Sequence, residues 1–123
     1  MSSLSSFDLD FSFGKEGEQL VSALLTEGKR IEVKRDRKWN TTGNVYIETE
    51  CFFTKSNAWA PSGLTITEAE YWAFVLNKTV IMMPTSTLWQ AVKAYGKEIT
   101  CQIPPNLSRG FLVKVTDLIE ASK

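Results

Sequence analysis

The chain contains no histidine. That absence removes Ser-His-Asp and Cys-His nucleophilic systems, histidine general bases and histidine metal ligands together. Only two cysteines occur, Cys51 and Cys101, with no CxxC spacing to suggest a zinc site. They read as reduced, buried thiols. No apolar run approaches the ~20 residues that cross a bilayer. "MSSLSSFDLDFSF" lacks the basic start and apolar core of a secretory signal. A cytoplasmic protein without a membrane partner is the expectation. No GxxxxGK[ST] loop is present, and Gly14-x-x-Gly17 alone is too little for a phosphate cradle. Excess charge is missing as well, since 14 basic residues balance 14 acidic ones. This argues against a protein that coats nucleic acid non-specifically. Any chemistry falls to carboxylates, lysine, hydroxyls or a bound metal.

What is present fits one α/β domain. The 123 residues are 43% hydrophobic and 23% charged, and no linker or internal repeat divides them. Residues 1–12 are Ser-rich and read as a loosely ordered arm. "GKEGEQLVSALLTEG" sets Leu20, Val21, Leu24 and Leu25 on one helical stripe, with Gly28 as the stop. "KRIEVK" alternates with period two and turns Ile31 and Val33 toward the core. "NVYIETECFF" is a second strand, and the two form an antiparallel hairpin across the polar turn "RDRKWNTTG". "TKSNAWAPSG" reads as a loop.

"LTITEAEYWAFVL" predicts a helix, with Thr65–Glu68 or Thr67–Glu70 as capping box and Ala69, Trp72, Ala73 and Leu76 as its stripe. "TVIMMP" predicts a strand buried on both faces. "TSTLWQAVKAYG" predicts a helix capped by Thr85 or Ser86 and closed by Gly96. "GFLVKV" predicts the last strand and "TDLIEASK" a terminal helix capped by Thr116. The order α-β-β-α-β-α-β-α describes a mixed sheet flanked by helices.

Glu32 and Lys34 carry the chemistry. Both fall on one face of their strand, with the apolar Val33 between them. A carboxylate there suits Mg²⁺ or Mn²⁺, which take oxygen ligands. A neighbouring ammonium orients water or offsets charge on a phosphate. Around them, residues 29–38 hold six basic side chains against two acidic ones. Arg35, Arg37 and Lys38 are the candidate phosphate contacts. Trp39 either stacks on a base or covers the hairpin. Glu48 and Glu50 alternate on the second strand and also fit its solvated face.

"FGKEGEQLV", "EVKRD", "TGNVYIE" and "SGLTITEAEYWAFV" resemble, in order and spacing, small phage and bacterial members of the PD-(D/E)xK nuclease superfamily. The resemblance spans residues 11–83, with a looser match through "RGFLVKVTDL". It implies a restriction-endonuclease-like fold and a Mg²⁺- or Mn²⁺-dependent nuclease acting on DNA, in many such proteins as a homodimer. It implies that Glu18 (or Glu16) on the first helix reaches the metal with Glu32, and that Lys34 is catalytic. It places the "TGN…IE" strand beside the Glu32 strand. The superfamily's aspartate, on a strand before E-x-K, has no counterpart here. Glu48 is the first candidate replacement, then Asp36, then Asp8 or Asp10. Without a replacement, the fold would serve as a non-catalytic DNA-binding or assembly module.

Overall fold

A computed structural model describes residues 14–22, 28–102 and 107–123. The chain falls into two units, Met1–Arg30 and Ile31–Lys123. In the first, residues 14–22 form helix α1, as the apolar spacing predicts, with Leu20 and Val21 about half exposed. Gly28 has φ +65°, a left-handed conformation that suits the expected stop. Leu24, Leu25, Asp8 and Asp10 lie outside the described residues.

The second unit is a mixed α/β fold with two sheets. β1 (Ile31–Arg35), β4 (Tyr71–Leu76) and β5 (Thr79–Pro84) form one, in the order β1-β4-β5. β2 (Asn44–Phe53), β3 (Ala58–Pro61), β6 (Lys97–Cys101) and β7 (Ser108–Lys114) form the other, in the order β3-β2-β7-β6. Short helix α2 (Trp39–Thr42) precedes β2, a 3₁₀ turn (Gly63–Thr65) precedes β4, and α3 (Thr85–Tyr95) and α4 (Val115–Ala121) follow β5 and β7. Val45, Ile47, Leu64, Trp72, Phe74, Leu88, Val113 and Leu118 are almost wholly buried and join both sheets and both longer helices in one core.

Several sequence expectations are corrected. β1 and β2 do not pair as a hairpin. β1 runs parallel to β4, with Glu32 opposite Trp72 and Lys34 opposite Phe74, while β2 pairs with β3 and β7. The expected helix over "LTITEAEYWAFVL" is instead the 3₁₀ turn followed by strand β4. Ala69, Trp72, Ala73 and Leu76 satisfy helical spacing, yet Tyr-Trp-Ala-Phe-Val-Leu is equally the aromatic and β-branched composition of a central strand. Its successor decides the matter. Asn77, at φ +45°, and Lys78 make a two-residue turn that brings Leu76 opposite Thr79, so β4 and β5 close as a hairpin.

β5 is consequently an edge strand rather than a doubly buried one, and Val80 and Met82 are exposed. β3 occupies the segment expected to be a loop, and β6 lies where the sequence pattern predicts no strand. α3, β7 and α4 fall where the sequence places them. No side chain caps α3 or α4; the Thr85 hydroxyl donates instead to the Ala69 carbonyl at 2.7 Å. Cys51 and Cys101 are free thiols. Both sit opposite Ser108, on strands either side of β7, so their Cα atoms lie about 9–10 Å apart, beyond disulfide reach.

Candidate nucleic-acid interface beside Glu32 and Lys34

β1 is an edge strand whose alternation runs opposite to expectation. Val33 is 60% exposed and Ile31 37%, while Glu32 and Lys34 are half-buried. In-register neighbours of a sheet share a face, so Glu32 and Lys34 stand on the side of Trp72 and Phe74, at the margin of the core. The Lys34 ammonium lies 5.4 Å from the centroid of the Trp72 ring. This attraction holds the lysine without consuming its charge. Glu32 and Lys34 are therefore brought together on one face, as the sequence predicts, but on the inner one.

Beyond Lys34 the chain turns sharply, and Asp36 makes the turn. Its Oδ1 accepts the Lys38 backbone N–H at 2.8 Å, and its Oδ2 accepts the Tyr46 N–H at 3.0 Å. The carboxylate thus fastens the basic segment to the first residues of β2. Both oxygens are engaged by backbone donors, which fixes the position of the Asp36 carboxylate. α2 then closes on Gly43, at φ +76°, whose N–H donates to the Trp39 carbonyl at 2.7 Å. Trp39 is half-buried and packs against the core.

The result is a pocket of about 510 Å³ lined by Lys34, Arg35, Arg37 and Lys38 above Tyr46, Phe74, Ile99 and Leu112. Asp36, Thr42, Asn44 and Cys101 complete the wall. Tyr46 and Leu112 alternate with the buried Val45 and Val113, so they occupy the face of the four-stranded sheet opposite the core. The Tyr46 hydroxyl shares a 2.8 Å hydrogen bond with the Ser108 hydroxyl. Burial pushes the Tyr46 phenol above its ordinary value, and the phenol stays protonated at neutral pH. The pocket's polar side is cationic and its floor is aromatic and aliphatic. β6, unforeseen in the sequence, contributes Ile99 and Cys101 to it.

Glu48 and Glu32 stand on strands of different sheets. Glu48 lies on β2, and its Oε2 accepts the Ser62 hydroxyl at 2.7 Å. A β-bulge separates Glu48 from Glu50, where Gly110 of β7 passes so close that a Cβ there would overlap the Ile47 carbonyl oxygen. Gly63, at φ +53°, presses on the Glu48 carbonyl in the same way. Glu48 is held at this junction. Glu18 is an exposed residue of α1, in the first unit.

Among the described residues no group of three or more His, Cys, Asp or Glu gathers as a metal site. Mg²⁺ is often held by one or two carboxylates, with substrate phosphates and water completing its shell. The described residues do not form a closed cage of protein ligands. No described helix is long and apolar enough to cross a membrane. Comparison with known proteins returns no matching family model, curated protein or solved structure.

Proposed function

We propose that this protein is a divalent-metal-dependent DNA nuclease of the PD-(D/E)xK type, hydrolysing phosphodiester bonds. The observation that carries the reading is β1 itself. One strand presents Glu32 and Lys34 on a shared half-buried face, then runs directly into the cationic rim Arg35–Lys38 of a pocket. Arg35, Arg37 and Lys38 hold the phosphates flanking the scissile one. Lys34, steadied over Trp72, places its ammonium where negative charge develops on the phosphate. Glu32 contributes the metal-binding carboxylate. Mg²⁺ or Mn²⁺, when bound, supplies Lewis-acid polarisation and an acidified water.

A second reading draws on a separate observation. Glu48 accepts the Ser62 hydroxyl in the other sheet, and among the described residues no group of three or more His, Cys, Asp or Glu gathers around a metal position. On this reading the fold binds DNA without cutting it.

Labelled single-stranded, duplex and four-way-junction DNA, incubated with the protein in Mg²⁺ and in Mn²⁺, separates the two. The nuclease reading expects cleavage that chelation stops and that Glu32→Ala and Lys34→Ala each reduce by about 100-fold or more. Glu18→Gln in the same assay reads that residue's share. Binding without cleavage on every substrate selects the non-catalytic module. Cleavage that survives both substitutions places the chemistry away from β1.

A further inference from the structure

Backbone contacts alone do not need the floor of this pocket. Arg35, Arg37 and Lys38 suffice to hold a sugar–phosphate chain, yet beside them opens a recess of about 510 Å³ walled by Tyr46, Phe74, Ile99 and Leu112. Its size falls within the roughly 300–1,000 Å³ of small-ligand sites, enough for a nucleotide and far too little for a duplex. Aromatic and aliphatic walls under a cationic rim match a flat apolar ring attached to phosphate. Asn44 lines the same space, and its amide offers both a donor and an acceptor to a base edge. Among the described lining residues the one carboxylate, Asp36, is turned to the Lys38 and Tyr46 N–H groups, so four described cations stand against one engaged anion.

A base can enter such a recess only after leaving its stack and its partner. We infer that the pocket receives the unpaired base of a single-stranded or locally opened DNA strand, its flanking phosphates resting on Lys34, Arg35, Arg37 and Lys38. The choice of DNA rests on the nuclease reading; the requirement for an unpaired base rests on the pocket. The protein then selects DNA by strand state before any cleavage step.

Fluorescence anisotropy in EDTA tests this without cleavage. The probes are an oligo-dT strand, the same strand carrying abasic sites throughout, and a duplex of equal length. The strand is expected to bind about tenfold more tightly than either the duplex or the abasic strand. Ile99→Trp, which fills the recess from β6, is expected to bring the strand down to the level of the duplex. Leu112→Trp repeats the test from β7 should the first variant fold poorly, and the abasic comparison needs no variant at all. Equal affinity for normal and abasic strands, or for strand and duplex, overturns the inference. Cleavage in Mg²⁺ is scored separately. Strand preference without cleavage would sink the nuclease reading alone, and cleavage without strand preference would sink the pocket alone.

Discussion

Tyr46 shows how one side chain ties the pocket to the fold. Its hydroxyl bonds to Ser108 on β7 while its ring faces the recess, and burial raises its proton affinity. A phenol that holds its proton more tightly folded than unfolded adds stability that is complete below about pH 10 and is lost as pH rises through the folded value. Tyr46→Phe is therefore expected to be less stable at neutral pH by about 0.5–1.5 kcal/mol, the usual net worth of a hydrogen bond. Above about pH 10 its deficit against the native chain should shrink. Urea midpoints of both proteins across that range make the comparison, and parallel curves would show that Tyr46 does not titrate with folding. Asp36 was legible as a carboxylate in the turn after Lys34. Its attachment to the Tyr46 N–H, ten residues along, depends on a turn that no local pattern specifies.

Gly110 carries the argument at the level of elements. β2 and β7 are neighbours in the four-stranded sheet, and their register slips by one at Glu48 to Glu50. The Cβ of Gly110→Ala would meet backbone, the Ile47 carbonyl, rather than a side chain that can move aside. The substitution is expected to cost about 3 kcal/mol or more, or to prevent folding. Gly14→Ala, where nothing lies within 4 Å, is expected to be nearly neutral. Thermal melts of the two variants decide. If the Gly110→Ala protein proved as stable as the parent, the bulge would not be a tightly packed junction.

β4 teaches the complementary lesson. Ala69, Trp72, Ala73 and Leu76 fit a helix by spacing, and Tyr71 to Leu76 fit a strand by composition. The hairpin through Asn77 and β1 on the other side resolve the ambiguity by supplying partners for the backbone. α3 and α4 were readable because their periodicity stands on local sequence and no such partner competes.

At the scale of the whole chain, zero net charge and the cationic pocket rim found among the described residues make the proposed DNA binding a quantitative matter. With few phosphate contacts available, the salt dependence of DNA affinity should be shallow, a log–log slope of about −2 to −3 for a single strand. Arg35→Ala and Arg37→Ala should each reduce it by somewhat less than one unit, about 0.7. Anisotropy titrations from low to moderate salt measure both. A slope unchanged by either substitution would place the phosphates elsewhere.

By itself the sequence determined the mixed α/β class, helices over residues 14–22, 85–95 and 115–121, strands over 31–35, 44–53, 79–84 and 108–114, and Glu32 and Lys34 sharing one face of a strand. These depend on periodicity and local chemistry, which the chain carries residue by residue. Only the tertiary structure decided that β1 pairs in parallel with β4, that Glu48 answers to Ser62, and that β6 completes the pocket wall. Pairing between strands distant in sequence is chosen by which faces bury together and which backbone groups find partners. That competition is settled only when the core assembles.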